Sequence, residues 1–406
     1  MSAKWPGGFI NKTAPTVVGP TDGEGGSASG IWTLDQVADY ESKGLWPMLT
    51  PFRGLFGWGQ GTSGQIGDGT TANRSSPVQV GADINWAFSA AGPSFAFGIK
   101  KDGTLWAWGA NNVGQLAQNN TTSYYSPVQV GVLTTWSVVT CGRGHALAIK
   151  TDGTLWAWGV NSFGNLGDGT TTSRSLPVQI GALTNWKDVS GGYNSSFAIK
   201  TDGTLWAWGN AYKGILGQGN TTNKSSPVQV GALTNWLQAT ADYQACSAVK
   251  TDGTLWGWGG GYTGSTGHNS STDYSSPVQV GALTNWLKLA GGYNNRYCVK
   301  TDGTLWSWGL NTSGQLGHGN TTNLSSPVQV GGLTTWLSVA GGIYSAYATT
   351  TSNTLYAWGK NNYGQLGDGT TVNKSSPIQV GAETWWNVLP KVTNSNGVMV
   401  TTNRST

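Results

Sequence analysis

The sequence predicts an all-β fold: a seven-bladed β-propeller of four-stranded antiparallel blades. One observation is that a ten-residue stretch, Lys150–Gly159 (KTDGTLWAWG), returns at intervals of 50 residues. Another is that the dipeptide Trp-Gly occurs in seven copies, each followed by a proline that can start a strand and by a further tryptophan. Radial repetition of one small antiparallel unit is typical of propellers. The seven Trp-Gly tryptophans are Trp58, Trp108, Trp158, Trp208, Trp258, Trp308 and Trp358.

Each unit contains four strand-like segments. After Trp186 these are WKDVSGG, SSFAIK and TLWAWG, with PVQIG or PVQVG as the fourth. The second and third are joined by Thr-Asp-Gly-Thr, which predicts a two-residue Asp-Gly hairpin turn of type I′. Pro177 can lie only at a strand start or on an edge strand, so LPVQIG should be outermost. The segment with the smallest residues should lie nearest the axis.

Residues 51–406 are expected to form the propeller, closed by a composite blade from both ends. The repeats begin in mid-unit at Leu55 and end after NSNGVMVTTNRST. We therefore expect Trp386–Pro390 and Val398–Thr402 to supply two inner strands. Leu55–Gly59 and Pro77–Val80 would supply the outer two. Closure removes exposed sheet edges that could pair with other chains.

Residues 1–50 are expected to form an extended anchoring segment. The first thirty or so are rich in Gly, Pro, Ser and Thr and cannot bury enough apolar surface to fold alone. A capping pattern at Thr33 and Gln36 predicts one short helix over about 34–42. A helix this short is marginal in isolation and needs a partner surface. The residues predicted to dock it are Trp32, Leu34, Val37, Tyr40 and Trp46.

Composition argues against several classes of function. Charged residues make up 10% of the chain and the net charge is +4, without the clustered basic patch typical of nucleic-acid binding. No apolar run is long enough to predict membrane insertion. Three cysteines form no disulfide framework. With three histidines and no nucleophile–base pair, the sequence predicts no catalytic residues, no metal site, no cofactor and no enzyme activity.

Positions that differ between the repeats are the candidate binding residues. One set follows the innermost strand and should surround one mouth of the axial channel, while a second set follows Trp-Gly. Aromatic and amide side chains together suit a sugar or a protein epitope, although variation in exposed loops would give the same pattern. The candidates are Arg143, His145, Tyr193, Asn194, Tyr243, Gln244, Tyr293, Asn294 and Tyr344.

The unit resembles the regulator of chromosome condensation repeat. Gly142–Ala148 continues into Asp152–Gly159, and Asn161, Gly164 and Leu166–Gly167 follow in the family's order. The resemblance implies a seven-bladed propeller. The founding member of the family is a nucleotide exchange factor for a small GTPase that binds chromatin, and other members resemble regulatory or interaction modules. The family histidine appears in one repeat alone, as His145, and the long insertions and basic tail that could engage a GTPase or nucleosome are missing.

The beginning of the chain resembles a short leader on structural proteins of tailed bacteriophages. The stretches concerned are GGFINKTAPTVVGP, SGIWTLDQ and GLWP. This resemblance implies a non-enzymatic virion protein of the tail, fibre or surface. The N-terminal segment would bind other virion proteins, and the propeller would attach to a host surface protein or glycan. The alternative is a regulatory propeller that acts as a guanine-nucleotide exchange factor or protein-interaction module.

Overall fold

A computed structural model describes residues 54–386, 389–392 and 397–402, and two short strands near the start of the chain. The chain divides into two compact units, Met1–Arg53 and Gly54–Thr406. In the first unit, β1 (Lys4–Trp5) pairs antiparallel with β2 (Gly8–Phe9). The helix predicted over 34–42 lies outside the described residues. So do the predicted docking residues Trp32, Leu34, Val37, Tyr40 and Trp46.

The second unit contains six groups of four antiparallel strands, called blades here; the sheet of the first blade has a short fifth strand, and a three-stranded sheet completes the unit. Their strands, in chain order, are as follows. The first blade has β5 (Trp86–Ala91), β6 (Phe95–Lys100), β7 (Leu105–Gly109) and β8 (Tyr124–Gln129); the second has β9 (Trp136–Cys141), β10 (His145–Lys150), β11 (Leu155–Gly159) and β12 (Arg174–Gln179); the third has β13 (Trp186–Gly191), β14 (Ser195–Lys200), β15 (Leu205–Gly209) and β16 (Lys224–Gln229). The fourth has β17 (Trp236–Ala241), β18 (Ala245–Lys250), β19 (Leu255–Gly259) and β20 (Tyr274–Gln279); the fifth has β21 (Trp286–Gly291), β22 (Asn295–Lys300), β23 (Leu305–Gly309) and β24 (Leu324–Gln329); the sixth has β25 (Trp336–Gly341), β26 (Ser345–Thr350), β27 (Leu355–Gly359) and β28 (Lys374–Gln379). A 3-10 turn, Tyr212–Gly214, follows β15.

The strand order within a blade confirms the expected arrangement. Strands follow one another across each sheet in chain order, with the proline-containing strand on one edge. In the second to sixth blades the strand that begins with tryptophan forms the opposite edge, and these strands contact one another from blade to blade. Small residues such as Ala340 and Gly341 lie on it because successive blades approach closely there.

Instead of the predicted seven four-stranded blades, the described residues contain six and a three-stranded closing sheet. In the closing sheet, β3 (Gly54–Gly59) pairs with β4 (Arg74–Gln79) on one side and with β30 (Gly397–Thr402) on the other. The register of β3 and β30 joins Gly54 to Thr402 and Gly59 to Gly397. Two of the expected strands, near the start and the end of the chain, therefore do meet.

The inner strand predicted over Trp386–Pro390 is wrong. Trp386, Leu389 and Pro390 lie outside any strand, and the chain instead forms β29 (Lys391–Val392), which pairs parallel with β5. The physical reason is Pro390, which stands where the preceding unit has Ala340. Proline has no backbone N–H to donate to a sheet and its ring restricts the chain.

The Trp-Gly tryptophans connect neighbouring units. All seven are fully buried, and each indole N–H donates to a backbone carbonyl in the loop of the preceding unit. Trp158 Nε1 donates to Gln115 O at 3.0 Å. Trp58 Nε1 donates to Gln365 O at 3.0 Å, which closes the ring between the closing sheet and the sixth blade. Most tryptophans are thus packing residues, as the sequence predicted.

The hairpin between the second and third strands is not the predicted type I′ turn. That turn requires positive φ at both central residues, but Gly153 has φ +76° and Asp152 is not among the residues with positive φ. Gly153 N donates to Lys150 O and Lys150 N to Thr154 O, as in a type I turn followed by a glycine bulge. Asp152 Oδ1 accepts from Thr154 N at 2.9 Å, which ties the carboxylate to the chain beyond the turn.

A lysine lies against two tryptophans in each of the first five blades. Lys200 Nζ is 3.7 Å from the ring centroid of Trp206 and 4.9 Å from that of Trp186. Burial lowers the pKa of Lys200, and the nearby Asp202 opposes that shift. The sixth blade has Thr350 at the equivalent position, so this cation–π contact is absent there. The five lysines are Lys100, Lys150, Lys200, Lys250 and Lys300.

Candidate functional site

The two sets of variable positions lie on the same face of the propeller. The first set precedes the second strand of a blade and the second set follows the third strand. Because these strands pair antiparallel, Ser195 lies opposite Gly209. The backbone then joins the two loops directly, since Asn210 N donates to Asn194 O at 2.9 Å. Sequence reasoning had treated the two sets as separate places.

Four tyrosines form a continuous row along this face, from the third blade to the sixth. The rings of Tyr193 and Tyr243 meet edge to face with centroids 4.8 Å apart. Tyr243 stacks on Tyr293 at 5.6 Å, and Tyr293 contacts Tyr344 at 6.0 Å. All four are half-buried, so each offers part of its ring to solvent. We call Tyr193, Tyr243, Tyr293 and Tyr344 the tyrosine row.

A cation lies at each end of the tyrosine row. The guanidinium carbon of Arg143 is 4.5 Å from the ring centroid of Tyr193. Lys360 Nζ is 5.2 Å from the centroid of Tyr344. Arg143 is exposed, and no carboxylate of the described residues forms a salt bridge with it. The row is therefore an aromatic surface with positive charge at both ends.

A buried ion pair holds the middle of the row in place. Asp242 Oδ2 accepts from Arg296 Nη1 at 2.6 Å and from Asn294 N at 2.6 Å. Asp242 Oδ1 accepts from Gln244 N at 2.8 Å, and Arg296 Nη2 donates to Ala245 O at 2.7 Å. These bonds link the loops that carry Tyr243 and Tyr293. Asp242 and Arg296 were not among the predicted site residues, although both depart from the repeat pattern.

Two predicted binding residues do not face solvent. His145 is 1% exposed, and its Nε2 lies 3.0 Å from Ser196 Oγ in the next blade. Burial lowers the pKa of His145 to about 4, so the imidazole is neutral at neutral pH. Asn294 is 6% exposed and adopts φ +58°. Asn194 and Gln244 are half-buried, and their carbonyls accept backbone hydrogen bonds.

The phenol group of Tyr293 keeps its proton at neutral pH. Burial raises the pKa of Tyr293 above its ordinary value, and the neighbouring Tyr344 and Tyr243 raise it further. A tyrosine that keeps its proton can both donate and accept a hydrogen bond. Tyr293 can thus offer both an aromatic face and a neutral hydroxyl group to a ligand.

A cavity of about 200 Å³ opens beside the first two tyrosines of the row. Its wall includes Phe163 and Tyr212, which belong to the second set of variable positions and were not predicted as binding residues. Phe163 could have been found because it is aromatic where other units have Val113 or Thr263, and Tyr212 because it is aromatic where other units have Asn112 or Thr312. The lining residues are Phe163, Tyr193, Asn194, Ser195, Asn210, Tyr212, Ile215 and Tyr243.

The histidines and acids lie apart from one another. Across the part of the chain that the structure describes, no three His, Cys, Asp or Glu side chains are grouped so that they could hold a metal ion. His268 Nε2 contacts Val278 O at 3.2 Å, and His318 Nε2 contacts Ser307 Oγ at 2.9 Å. None of the helical segments among the described residues could cross a membrane.

The propeller is similar to solved structures of known proteins. One is human WBSCR16, with a TM-score of 0.76 and 22% identity over 86% of this chain and 100% of that one. Another is Prp20p from Saccharomyces cerevisiae, whose crystal structure was described with its binding properties to Gsp1p and histones; the TM-score is 0.77 and the identity 18%, over 87% of this chain and 92% of that one. A third is yeast RCC1 (Prp20) bound to Kap60, with a TM-score of 0.75, 17% identity and coverages of 87% and 89%. At these identities the likeness shows a shared fold.

The sequence matches the model of one repeat family. No curated protein sequence gives a significant match. The regulator of chromosome condensation (RCC1) repeat matches residues 54–98, 102–149, 152–199, 202–249, 302–348 and 352–392. A second model of this repeat matches residues 137–165, 186–215 and 336–365. Since the first model covers more than half of its length, the chain belongs to the regulator of chromosome condensation repeat family.

Proposed function

We propose that this propeller is a non-enzymatic protein-interaction module and that the tyrosine row is its contact surface. The observation that carries the proposal is the continuity of the row over four blades, with exposed Arg143 at one end. Tyrosine and arginine are enriched in protein interfaces and in the residues that dominate binding energy. The buried Asp242–Arg296 pair fixes the row before a partner arrives, which reduces the entropy lost on binding.

Proteins of the same fold support a protein partner. Prp20p was described with binding to Gsp1p and histones, and a solved structure contains yeast RCC1 (Prp20) bound to Kap60. Those partners belong to those proteins. In this chain we propose that the same fold presents a surface to another protein, whose chemistry is set by aromatic and cationic groups.

A general interaction function is favoured over nucleotide exchange. A guanine-nucleotide exchange factor would be expected to carry acidic and histidine side chains on its contact face. Here the face carries tyrosines and cations, and His145 is buried against Ser196. Exchange activity is therefore the less favoured proposal. It can be tested on any small GTPase that is recovered as a partner.

The virion role has no support from the comparisons. The leader resemblance and the docking residues Trp32 and Trp46 fall outside the described residues, so particle docking and a virion location stay predictions. We also propose that the three-stranded closing sheet serves as the seventh blade. Trp58 supports this, because it contacts the preceding unit as the other Trp-Gly tryptophans do.

Site-specific photo-crosslinking in the cells that produce the protein tests the proposed contact surface. A photoreactive phenylalanine is placed at Tyr293, at Tyr344 or, as a control, at Tyr125 on the outer strand β8, where the side chain is 47% exposed. We expect a specific protein adduct from the two row positions and none from Tyr125. Equal labelling at all three positions, or no protein adduct from the row, would contradict the proposal. If a small GTPase is recovered as a partner, adding the purified propeller should leave the rate at which that GTPase releases its bound nucleotide unchanged.

A further inference from the structure

We propose that the cavity beside Tyr193 and Tyr243 is an anchor pocket for one tyrosine side chain of the partner. We call the site formed by Phe163, Tyr193, Ser195, Tyr212 and Tyr243 the anchor pocket. This inference rests on the proposed function and specifies which chemistry the partner must present. It follows from the size of the cavity, its aromatic walls, the serine in its lining and the charge beside it.

The size of the cavity selects a single side chain. Its volume is about 200 Å³, whereas sites for drug-sized ligands usually occupy about 300–1,000 Å³. The pocket adjoins a wider groove of about 640 Å³ that shares Asn210 and Tyr212 with it. A small pocket continuous with an open groove suits a peptide that inserts one residue and runs on across the surface.

Aromatic rings form the walls of the pocket. Tyr193 and Tyr243 stand edge to face at 4.8 Å, and the ring of Tyr212 lies 6.4 Å from that of Tyr243. Phe163 is 37% exposed and Tyr212 is 49% exposed, so both walls are open to an incoming ring. Aromatic pairs at these separations contribute about 0.5–1.5 kcal/mol beyond the burial of their area. The walls therefore favour an aromatic anchor.

The lining of the pocket includes a serine whose hydroxyl group is unpaired within the described part of the chain. Ser195 is 2% exposed, and its Oγ has no hydrogen-bond partner among the described residues. A buried hydroxyl left unpaired is unfavourable. An anchor with a polar tip can pair with it, and tyrosine combines such a tip with an aromatic ring. The fourth blade has Ala245 at the position of Ser195, so the hydroxyl is not required by the fold.

Charge near the pocket specifies the neighbours of the anchor. Arg143 stacks on the ring of Tyr193 and is exposed, with no salt bridge to a described carboxylate. In the groove on the other side, Lys213 is already paired with Asp273 at 2.7 Å. A partner segment with an acidic residue beside its tyrosine would therefore pair with Arg143.

Fluorescence anisotropy with labelled nonapeptides tests the anchor pocket in the full-length protein. The peptides share a Gly/Ser backbone and carry Glu-Tyr, Glu-Phe, Glu-Ala or Lys-Tyr at the centre. We expect Glu-Tyr to bind at least tenfold more tightly than Glu-Ala, with Glu-Phe and Lys-Tyr between them. Phe163→Ala should weaken Glu-Tyr binding at least tenfold. The matched control Tyr262→Ala, an 82% exposed tyrosine outside the pocket, should not change it.

Ser195→Ala separates recognition from a structural effect. This variant should bind Glu-Tyr and Glu-Phe equally while keeping its affinity for Glu-Phe. A loss of affinity for both peptides, or an unchanged preference for Glu-Tyr, would contradict the role given to the hydroxyl. The anchor pocket is also refuted if no peptide binds, or if Glu-Tyr and Glu-Ala bind alike.

Two further outcomes keep the pocket and the proposed function distinguishable. If Tyr344→Ala abolishes partner crosslinking and Phe163→Ala leaves both crosslinking and peptide binding intact, the pocket inference fails and the interaction function stands. Binding of glucose, galactose or N-acetylglucosamine that depends on Phe163 and displaces the peptide would make this a sugar site and overturn the inference.

Discussion

Asp242 and Arg296 pair between the fourth and fifth blades, with 2.6 Å between Oδ2 and Nη1 and both side chains buried. The neighbouring blades have no equivalent ion pair. Glycine stands at the position of Asp242 in the neighbouring third and fifth blades, and small residues stand at the position of Arg296 in the third and fourth. The pair is therefore a local addition to the repeat, and it lies directly beneath the centre of the tyrosine row.

Removing one partner of this pair should destabilise the protein strongly. Arg296→Ala leaves Asp242 as an unpaired buried charge, and losses of this kind are about 3–5 kcal/mol. The double variant Asp242→Gly/Arg296→Ala restores residue types found in other units and should be clearly more stable than Arg296→Ala. Denaturant unfolding monitored by tryptophan fluorescence measures both. A double variant as unstable as the single one would contradict this account.

Two buried tryptophans of the fourth blade should differ in the free energy of unfolding that they contribute. Trp258 Nε1 donates to Ile215 O at 2.7 Å in the preceding unit, whereas the buried Trp236 Nε1 has no acceptor among the described residues. Replacement by phenylalanine removes similar volume at both sites. We expect Trp258→Phe to cost about 1–2 kcal/mol more than Trp236→Phe, because it also leaves a buried carbonyl unpaired. Matched unfolding curves of the two variants give this difference.

Protonation of His145 should destabilise the protein at acidic pH. Burial lowers the pKa of His145 to about 4 in the folded protein, whereas in the unfolded chain its pKa is near the ordinary histidine value of 6.5. The unfolded state therefore binds more protons between these values, so the stability is complete above pH 6.5 and falls as the pH drops toward 4. The shift corresponds to about 3 kcal/mol.

The variant His145→Asn isolates this contribution, because the fifth blade has Asn295 at the same position. Burial also lowers the pKa of His268 and of His318, so some pH dependence remains in the variant. The difference between wild type and variant should grow in favour of the variant from pH 6.5 to pH 4. Parallel curves over that range would refute the assignment.

The lysine between two tryptophans should contribute measurably to stability. Lys200→Met keeps the length of the side chain and removes the charge that lies 3.7 Å from the Trp206 centroid. We expect a loss of about 1 kcal/mol, within the usual range for cation–π contacts. Lys101→Met changes an exposed lysine next to the same type of hairpin and should have a smaller effect. Thermal unfolding of the two variants side by side distinguishes them.

The regular part of the fold is predictable because every copy of the repeat carries the same physical signals. Pro177 marks an edge strand, and the position of Trp158 marks the contact between blades. The closing sheet is less predictable. Extending the period to Trp386–Pro390 overlooks Pro390, which has no backbone N–H to donate to a sheet.

The candidate site is predictable only in part. Loop position identified the tyrosines of the row, since they stand between strands at one end of each blade. It also included His145, whose ring turns inward toward Ser196, and a period of 50 residues contains no information about this direction. Asp242 was missed because the candidate positions in its loop began at Tyr243, and Arg296 was missed because it lies on a strand. A comparison of every position between the repeats, including the strands and their ends, would have identified both residues.

The pairing of β3 with β30 has a consequence for how two copies of the protein behave while they fold. Gly54 and Thr402 are adjacent in the sheet but lie at opposite ends of the repeat array, so this sheet is complete only once the two ends of the array have met. Until then the edge of β3 accepts any strand with the right register, including β30 from another molecule. Two chains that exchange this strand would each keep every hydrogen bond of the closing sheet. Refolding at high dilution should therefore yield monomers. Refolding at high concentration should yield a strand-swapped dimer that separates only by unfolding.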